Sequence, residues 1–224
     1  MSEPERRTVI LGQNCRIDEP AILGRTWQEW KVPLRIGDHA IVRPYAVIYT
    51  DTVIGDRFQC GYFVLVRAEC KLGNRVTLMS RVTLEGRVEI GNATKIMAHC
   101  YLPSRTRIGN SVFMGPGVTV LNDRYPYRLP PEEAVVKGPT IEDHVMIGGG
   151  STLFPGITIG EGAFIGGGSV VNKDVPAWTM AYGNPARYYP LPERLSKGNH
   201  RSFTHPQTDL WGPRQDLTWM DELD

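Results

Sequence analysis

From Ile36 to Val120 an apolar side chain arrives at every sixth residue: Ile36, Val42, Ile48, Ile54, Cys60, Val66, Leu72, Leu78, Leu84, Ile90, Ile96, Leu102, Ile108, Met114 and Val120. Four residues after each comes a second series of mostly small or β-branched residues, running Ala40, Ala46, Thr52, Phe58, Val64, Cys70 and on to Val118. A third layer repeats every eighteen residues, with IGD at Ile36 and Ile54, LGN at Leu72, and IGN at Ile90 and Ile108. A helix needs apolar spacings of three and four and a simple strand needs alternation, so neither sustains a period of six. Three short strands per coil do. Each hexad supplies a strand whose first and fifth residues point inward, then a turn, and three hexads close a triangular coil that stacks on the next at about 4.8 Å. Stacking hides the strand edges and builds a core that no single coil can bury. The expected fold is all-β, a parallel β-helix of about eight coils.

The beat breaks twice. It resumes at Ile141, Ile147, Leu153, Ile159, Ile165 and Val171, but Val120 to Ile141 is 21 residues, not a multiple of six. Residues 121–140 must therefore leave the prism and return. An earlier partial coil at Leu11, Ile17 and Leu23 is followed by GRTWQEWKVPLR, a smaller excursion carrying Trp27 and Trp30. The chain divides into a partial coil with its Trp-bearing insertion (1–35), the hexad β-helix with its loop (36–178), and a C-terminal segment and tail (179–224). Within the last, residues 188–224 show no beat and hold Trp211, Trp219 and the acidic finish MDELD.

A net charge of +1, with Lys and Arg scattered, lacks the electrostatic footprint of nucleic-acid or anionic-membrane binding. No apolar run approaches the ~18 residues of a membrane span, and MSEPERRTVILG lacks the apolar core of a signal peptide, so a cytoplasmic protein is expected. Cys15, Cys60, Cys70 and Cys100 fall on inward positions and read as free, buried apolar groups without zinc-site spacing. His39, His99 and His144 occupy outward turn positions. His39 and His99 fall on different corners, several coils apart, so no metal is expected within one chain. Charges stack in columns: Asp51, Glu69, Arg87, Arg105 and Asp123 form one, with Arg67 above Glu85 beside it. Most read as ion pairs between coils.

Loops of twenty residues in a compact domain are uncommon and tend to be functional. This one opens with LNDRYP, and coil counting puts Asn122 and Asp123 one coil after Ser104 and Arg105. One corner thus gathers an amide, a carboxylate, a hydroxyl and a guanidinium, with Arg124, Tyr125, Tyr127, Arg128 and Lys137 following on the loop.

On these residues the chain resembles the hexapeptide-repeat acyltransferases, most closely the branch that N-acetylates nucleotide-linked amino sugars, where a loop like LNDRYP is common. The block IGGGSTLFPGITIGEGAFIGGGSVVNKDVPAWTMAYGNPAR, residues 147–187, is similar to that family's coenzyme A end. The resemblance implies a left-handed helix, a homotrimer with sites between subunits, and acetyl-coenzyme A as co-substrate. It implies cofactor contacts at Gly149, Gly150, Gly167, Gly168, Lys173, Asn184, Pro185, Ala186 and Arg187; bare glycine turns let a thin arm lie against the backbone. Related O-acetyltransferases place a histidine where this loop has Asn-Asp, which favours an amino acceptor. Asp123 is the candidate base or amine positioner, Asn122 a substrate or oxyanion contact, and His99 a catalytic candidate reaching the loop from a neighbouring subunit. Arg105, Tyr125, Arg128 and Glu85 are candidate substrate contacts.

The expected function is coenzyme A dependent acyl transfer, acetyl in the first instance, to an amino group of a sugar or nucleotide-sugar. Three alternatives stand beside it: O-acetylation of a sugar or serine, a γ-carbonic-anhydrase-like metalloenzyme with histidines converging across an interface, and a non-catalytic trimeric scaffold.

Overall fold

A computed structural model describes residues 8–27, 29, 32–130, 132–133 and 135–196. Trp30, Trp211, Trp219 and the acidic finish lie outside them. The hexads form short strands, most of two residues, arranged in three parallel sheets in which every third strand is a neighbour. Leu72 pairs with Ile54 and Ile90, Leu78 with Cys60 and Ile96, and Leu84 with Val66 and Leu102. One coil is therefore three hexads, and the chain is a parallel β-helix of eight coils, as the beat implies, with the left hand that the family resemblance implied. We call the edge between sheets one and two the first vertex, that between two and three the second, and that between three and one the third.

Both inward series are buried, from Ile36 and Ala40 through Val171 and Val175. Where the second series is polar, the hydroxyl turns back to a carbonyl: Thr94 Oγ1 donates to Gly109 O at 2.9 Å and Thr106 Oγ1 to Pro103 O at 2.8 Å. In this series the buried hydroxyls are satisfied, so threonine replaces valine there at little cost. Cys60, Cys70 and Cys100 are buried as expected. Cys15 is only half-buried, because the first coil has no earlier coil to cover it.

The eighteen-residue motif has a local cause at the first vertex. The Asp or Asn after each glycine accepts the backbone N–H of its counterpart one coil earlier: Asp38 N–H to Asp56 Oδ1 (2.9 Å), Asp56 to Asn74 (2.8 Å), Asn74 to Asn92 (2.8 Å) and Asn92 to Asn110 (2.8 Å). A Cβ on Gly37 would lie 2.2 Å from Asp56 Oδ1, and one on Gly55 2.3 Å from Asn74 Oδ1. Glycine is needed because the next coil's carboxamide or carboxylate fills its side-chain space.

Ile108 pairs with Ile141 and Val120 with Leu153, so one coil is 33 residues long instead of 18. The excursion spans 121–139; Thr140, counted with the loop in the sequence reading, already begins the returning strand Thr140–Ile141. The C-terminal segment adds a feature the hexads do not announce. Thr179–Gly183 joins sheet two in parallel and turns back as Ala186–Pro190, an antiparallel hairpin with Asn184 and a cis Pro185 at its tip. Among the described residues no helix is long and apolar enough to cross a membrane.

Candidate functional site

Both breaks in the beat leave the prism at the third vertex, one after strand Ile22–Arg25 and the other after Thr119–Val120. The long loop is tied down at its base. Asn122 Nδ2 donates to the carbonyl (3.2 Å) and hydroxyl (3.1 Å) of Ser104, and the Asn122 carbonyl accepts the Lys137 N–H at 2.7 Å, closing the loop neck. Arg105 donates from Nη1 to Val136 O at 3.1 Å. Asp123 Oδ1 accepts the Tyr125 N–H at 2.9 Å, which starts the first turn. Ser104, Arg105, Asn122 and Asp123 therefore share a corner as coil counting implied. Tyr125 and Arg128 stand exposed farther along the loop.

Between the two excursions lies an open cleft of about 320 Å³, walled by Trp27 on one side and Val136 on the other. Its floor carries two ion pairs between coils, Arg67 to Glu85 at 2.8 Å and Arg87 to Glu69 at 2.7 Å with a second contact at 3.3 Å. These bear out the ion-pair reading for those four side chains, whereas Arg105 and Asp123 take backbone partners instead. The Arg67 guanidinium lies over the Trp27 ring, 5.5 Å from its centroid. Burial and the nearby Glu85 carboxylate raise the Tyr101 hydroxyl above its ordinary pKa.

The second vertex is built differently. Its turn column runs Tyr45, Phe63, Arg81, His99, Gly117, Gly150 and Gly168, each with positive φ. Tyr45 and Phe63 stack at 4.8 Å, and Arg81 covers Phe63. Beyond the exposed His99 the column is bare glycine. A Cβ on Gly117, Gly150 or Gly168 would meet nothing within 4 Å. The glycines before them differ, since a Cβ on Gly149 would lie 3.0 Å from Pro116 O and one on Gly167 3.3 Å from Gly149 O. Of the four glycines singled out in the sequence, Gly150 and Gly168 face open space, while Gly149 and Gly167 pack against the preceding coil.

Gly117 was missed. The phase reset puts 33 residues between it and Gly150, hiding a column visible only by counting through the loop. The bare track ends at the hairpin, where Gly183 donates its N–H to Ser169 Oγ at 3.2 Å. Asn184, Pro185, Ala186 and Arg187 thus gather at the C-terminal end of the glycine column. Lys173 does not, because it sits at the third vertex beside Asp174. Nor does the single chain bring His99 or the glycines to Asp123, since they occupy different edges of the prism. His39 and His144 lie on the first vertex, so the three turn histidines do not converge within one chain. Among the described residues no group of three or more His, Cys, Asp or Glu could hold a metal ion.

A stack of three-hexad coils interrupted at one vertex defines the hexapeptide-repeat class of left-handed β-helix proteins. Within this stack, residues 138–173 match the family model described as bacterial transferase hexapeptide (six repeats). A Schizosaccharomyces pombe protein named as an acetyltransferase is 41% identical over 80 residues, 34% of this chain and 39% of that one. The 2,3,4,5-tetrahydropyridine-2,6-dicarboxylate N-acetyltransferase of Staphylococcus aureus is 43% identical over 47 residues, 21% of this chain and 20% of that one. The chain thus spans well under half the length of the curated relatives it matches. Among solved structures, Arabidopsis UDP-N-acetylglucosamine acyltransferase superposes with a TM-score of 0.56 at 18% identity, covering 85% of this chain and 73% of that one, a likeness of fold.

Proposed function

We propose that this protein is a coenzyme A dependent acyltransferase, acetyl in the first instance, that modifies an amino group of a sugar or nucleotide-linked sugar. The observation that carries the reading is the bare track of Gly117, Gly150 and Gly168, running from His99 to the Asn184–Pro185 tip. A pantetheine arm is thin and amide-bearing, and an edge without side chains lets it lie against backbone peptide groups. Its thioester end would then lie near His99 and its nucleotide near the hairpin, with Arg187 available to a phosphate. The relatives named as acetyltransferases support the same chemistry.

Asn122 and Asp123 occupy the third vertex and the track the second, so they border one site only if the second vertex of one copy faces the third vertex of another. Repeated head to tail, that contact closes a ring, and a homotrimer with three shared sites is the arrangement that the family resemblance implies. In the reaction the acceptor nitrogen bonds to the thioester carbon, the carbon–sulfur bond breaks, and the nitrogen's proton leaves, finally to the thiolate. The Asp123 carboxylate orients the amine and accepts that proton. Asn122 already donates Nδ2 to Ser104, so it acts as a positioning residue that holds Asp123 at the loop neck. Both co-substrates belong to the cytoplasm.

A hydroxyl acceptor is the second reading, favoured by one observation: exposed His99 stands in line with the glycine track, where an imidazole would serve as base. Calorimetric titration with acetyl-coenzyme A, followed by transfer assays on amino and hydroxy sugars, tests both. Binding with transfer to amines that fails in Asp123→Ala supports the first, and transfer to hydroxyls that fails in His99→Ala supports the second. Absence of coenzyme binding would overturn both.

A further inference from the structure

The two excursions leave the same vertex and enclose one cleft, yet acyl transfer as described uses only the loop-side end of it. The other wall is Trp27, 60% exposed although it is the largest apolar side-chain type, and held by the Arg67 guanidinium on its ring. We propose that this cleft is a saccharide subsite, in which a single pyranose ring bearing an anionic substituent stacks on Trp27. The proposal deepens the acyl-transfer reading and rests on it for the reacting end of the acceptor.

Three features of the cleft select that ligand. At about 320 Å³ it lies at the lower end of small-molecule sites, roughly 300–1,000 Å³, and has room for one ring and its substituents. An exposed indole offers a broad, rigid apolar face at low entropic cost, which suits the C–H face of a sugar ring. Around it stand groups matched to the ring's edge. Glu69 and Glu85 each hold one guanidinium, and a carboxylate has about four acceptor sites, so capacity remains for hydroxyl donors. Arg105 donates one N–H to Val136 O, and its fork has five donors in a plane suited to a carboxylate or phosphate. Ser104, the partner of Asn122, sits at the end nearest the proposed reacting centre.

The test is ligand-observed saturation-transfer NMR on the full chain with glucosamine 1-phosphate, glucosamine and uridine monophosphate. We expect ring protons of glucosamine 1-phosphate to receive saturation, with Kd raised at least tenfold by Trp27→Ala and much less by Trp27→Phe. Arg105→Gln should weaken the phosphate ester and leave glucosamine itself nearly unchanged, which assigns the anionic substituent. Retained coenzyme A binding in Trp27→Ala reports that the variant folds. The proposal is overturned if the wild-type protein binds neither sugar, if Trp27→Ala binds as tightly as wild type, or if uridine monophosphate is the ligand whose binding depends on Trp27. Trp27-dependent sugar binding without coenzyme binding would leave the subsite standing and remove acyl transfer. Coenzyme turnover with Trp27-independent acceptors would do the reverse.

Discussion

Asn122 reaches back one coil and donates a single side-chain amide to both the carbonyl and the hydroxyl of Ser104. Donation to a backbone carbonyl fixes which end of the amide is nitrogen. The contact pins the loop where it leaves the prism, directly before Asp123. Asn122→Ala removes it and should weaken the loop neck by about 1 kcal/mol, the usual net worth of a hydrogen bond. The core is untouched, so global unfolding should barely move. Hydrogen exchange at the Lys137 amide, which closes the neck onto Asn122 O, should speed up by roughly fivefold. Unchanged exchange would mean that the neck holds without the side chain.

Asp123 holds a turn and, in the proposed reaction, also takes a proton, and the two jobs are separable. One oxygen caps the Tyr125 N–H, which asparagine can also do, whereas the negative charge is unique to aspartate. Asp123→Asn should therefore keep the turn while lowering kcat by roughly 100-fold or more, in the range of a lost general base. The KM for acetyl-coenzyme A should stay within twofold. Full activity in Asp123→Asn would show that the charge takes no part in proton transfer.

The prism was legible because every coil puts Ile36, Leu72 or Ile108 in the same surroundings, so the repeat reports burial directly. The site was only partly legible, for reasons of geometry. Coil counting placed Asn122 beside Ser104 correctly, since both belong to one column of the repeat. It did not reveal that Gly149 packs on Pro116 while Gly150 faces open space, because adjacent glycines look alike until the turn is built. The hairpin from Thr179 to Pro190 carries no apolar period of its own, its strands reading TMAYG and ARYYP, so nothing in the sequence announced it. That Trp27 and Val136 wall one cleft was implicit, since residues 24 and 121 both follow the third hexad of a coil. How far the first insertion reaches along the edge is set by tertiary packing.

Gly150 has φ +68° and open space at its missing Cβ, and Asp51, Glu69, Arg87 and Arg105 turn other coils in the same left-handed conformation. Asparagine adopts that region at small cost, so Gly150→Asn should change stability by less than about 1 kcal/mol. Its side chain would project onto the bare track. The KM for acetyl-coenzyme A should rise at least tenfold in steady-state assays, and Gly168→Asn should behave alike. Normal coenzyme affinity in both would move the arm to another edge.

At the first vertex, glycine is demanded by packing. A Cβ on Gly55 would sit 2.3 Å from Asn74 Oδ1 and 2.9 Å from Asn74 N, so Gly55→Ala forces two coils apart and lengthens the Asp56–Asn74 hydrogen bond. Overpacking of this kind costs about 1–3 kcal/mol. Urea denaturation should show the loss. Because the side-chain clash is with Asn74, Asn74→Ala in the same chain should cost less than the two changes added separately. Simple additivity would place the strain in the backbone alone.

The buried thiols set an alkaline limit on stability. Burial pushes Cys60 and Cys70 up to about 12 and Cys100 up to about 11, whereas the unfolded thiols ionise near 8.5. Below pH 8 both states keep these protons, and no pH dependence arises from them. Between about pH 9 and 11 the unfolded chain releases protons that the folded chain retains, so stability falls as pH rises. Each thiol contributes a slope of at most ~1.4 kcal/mol per pH unit, and the three together ~4. Tyrosines and lysines titrate in the same range, so the informative measurement is a difference. Cys70→Ala should lower stability at pH 7 through its small cavity, yet flatten the decline from pH 9 to 10.5 by about one thiol's share in urea denaturation. Parallel curves for the two proteins would show that Cys70 ionises as easily folded as unfolded, and that the coil interior admits water.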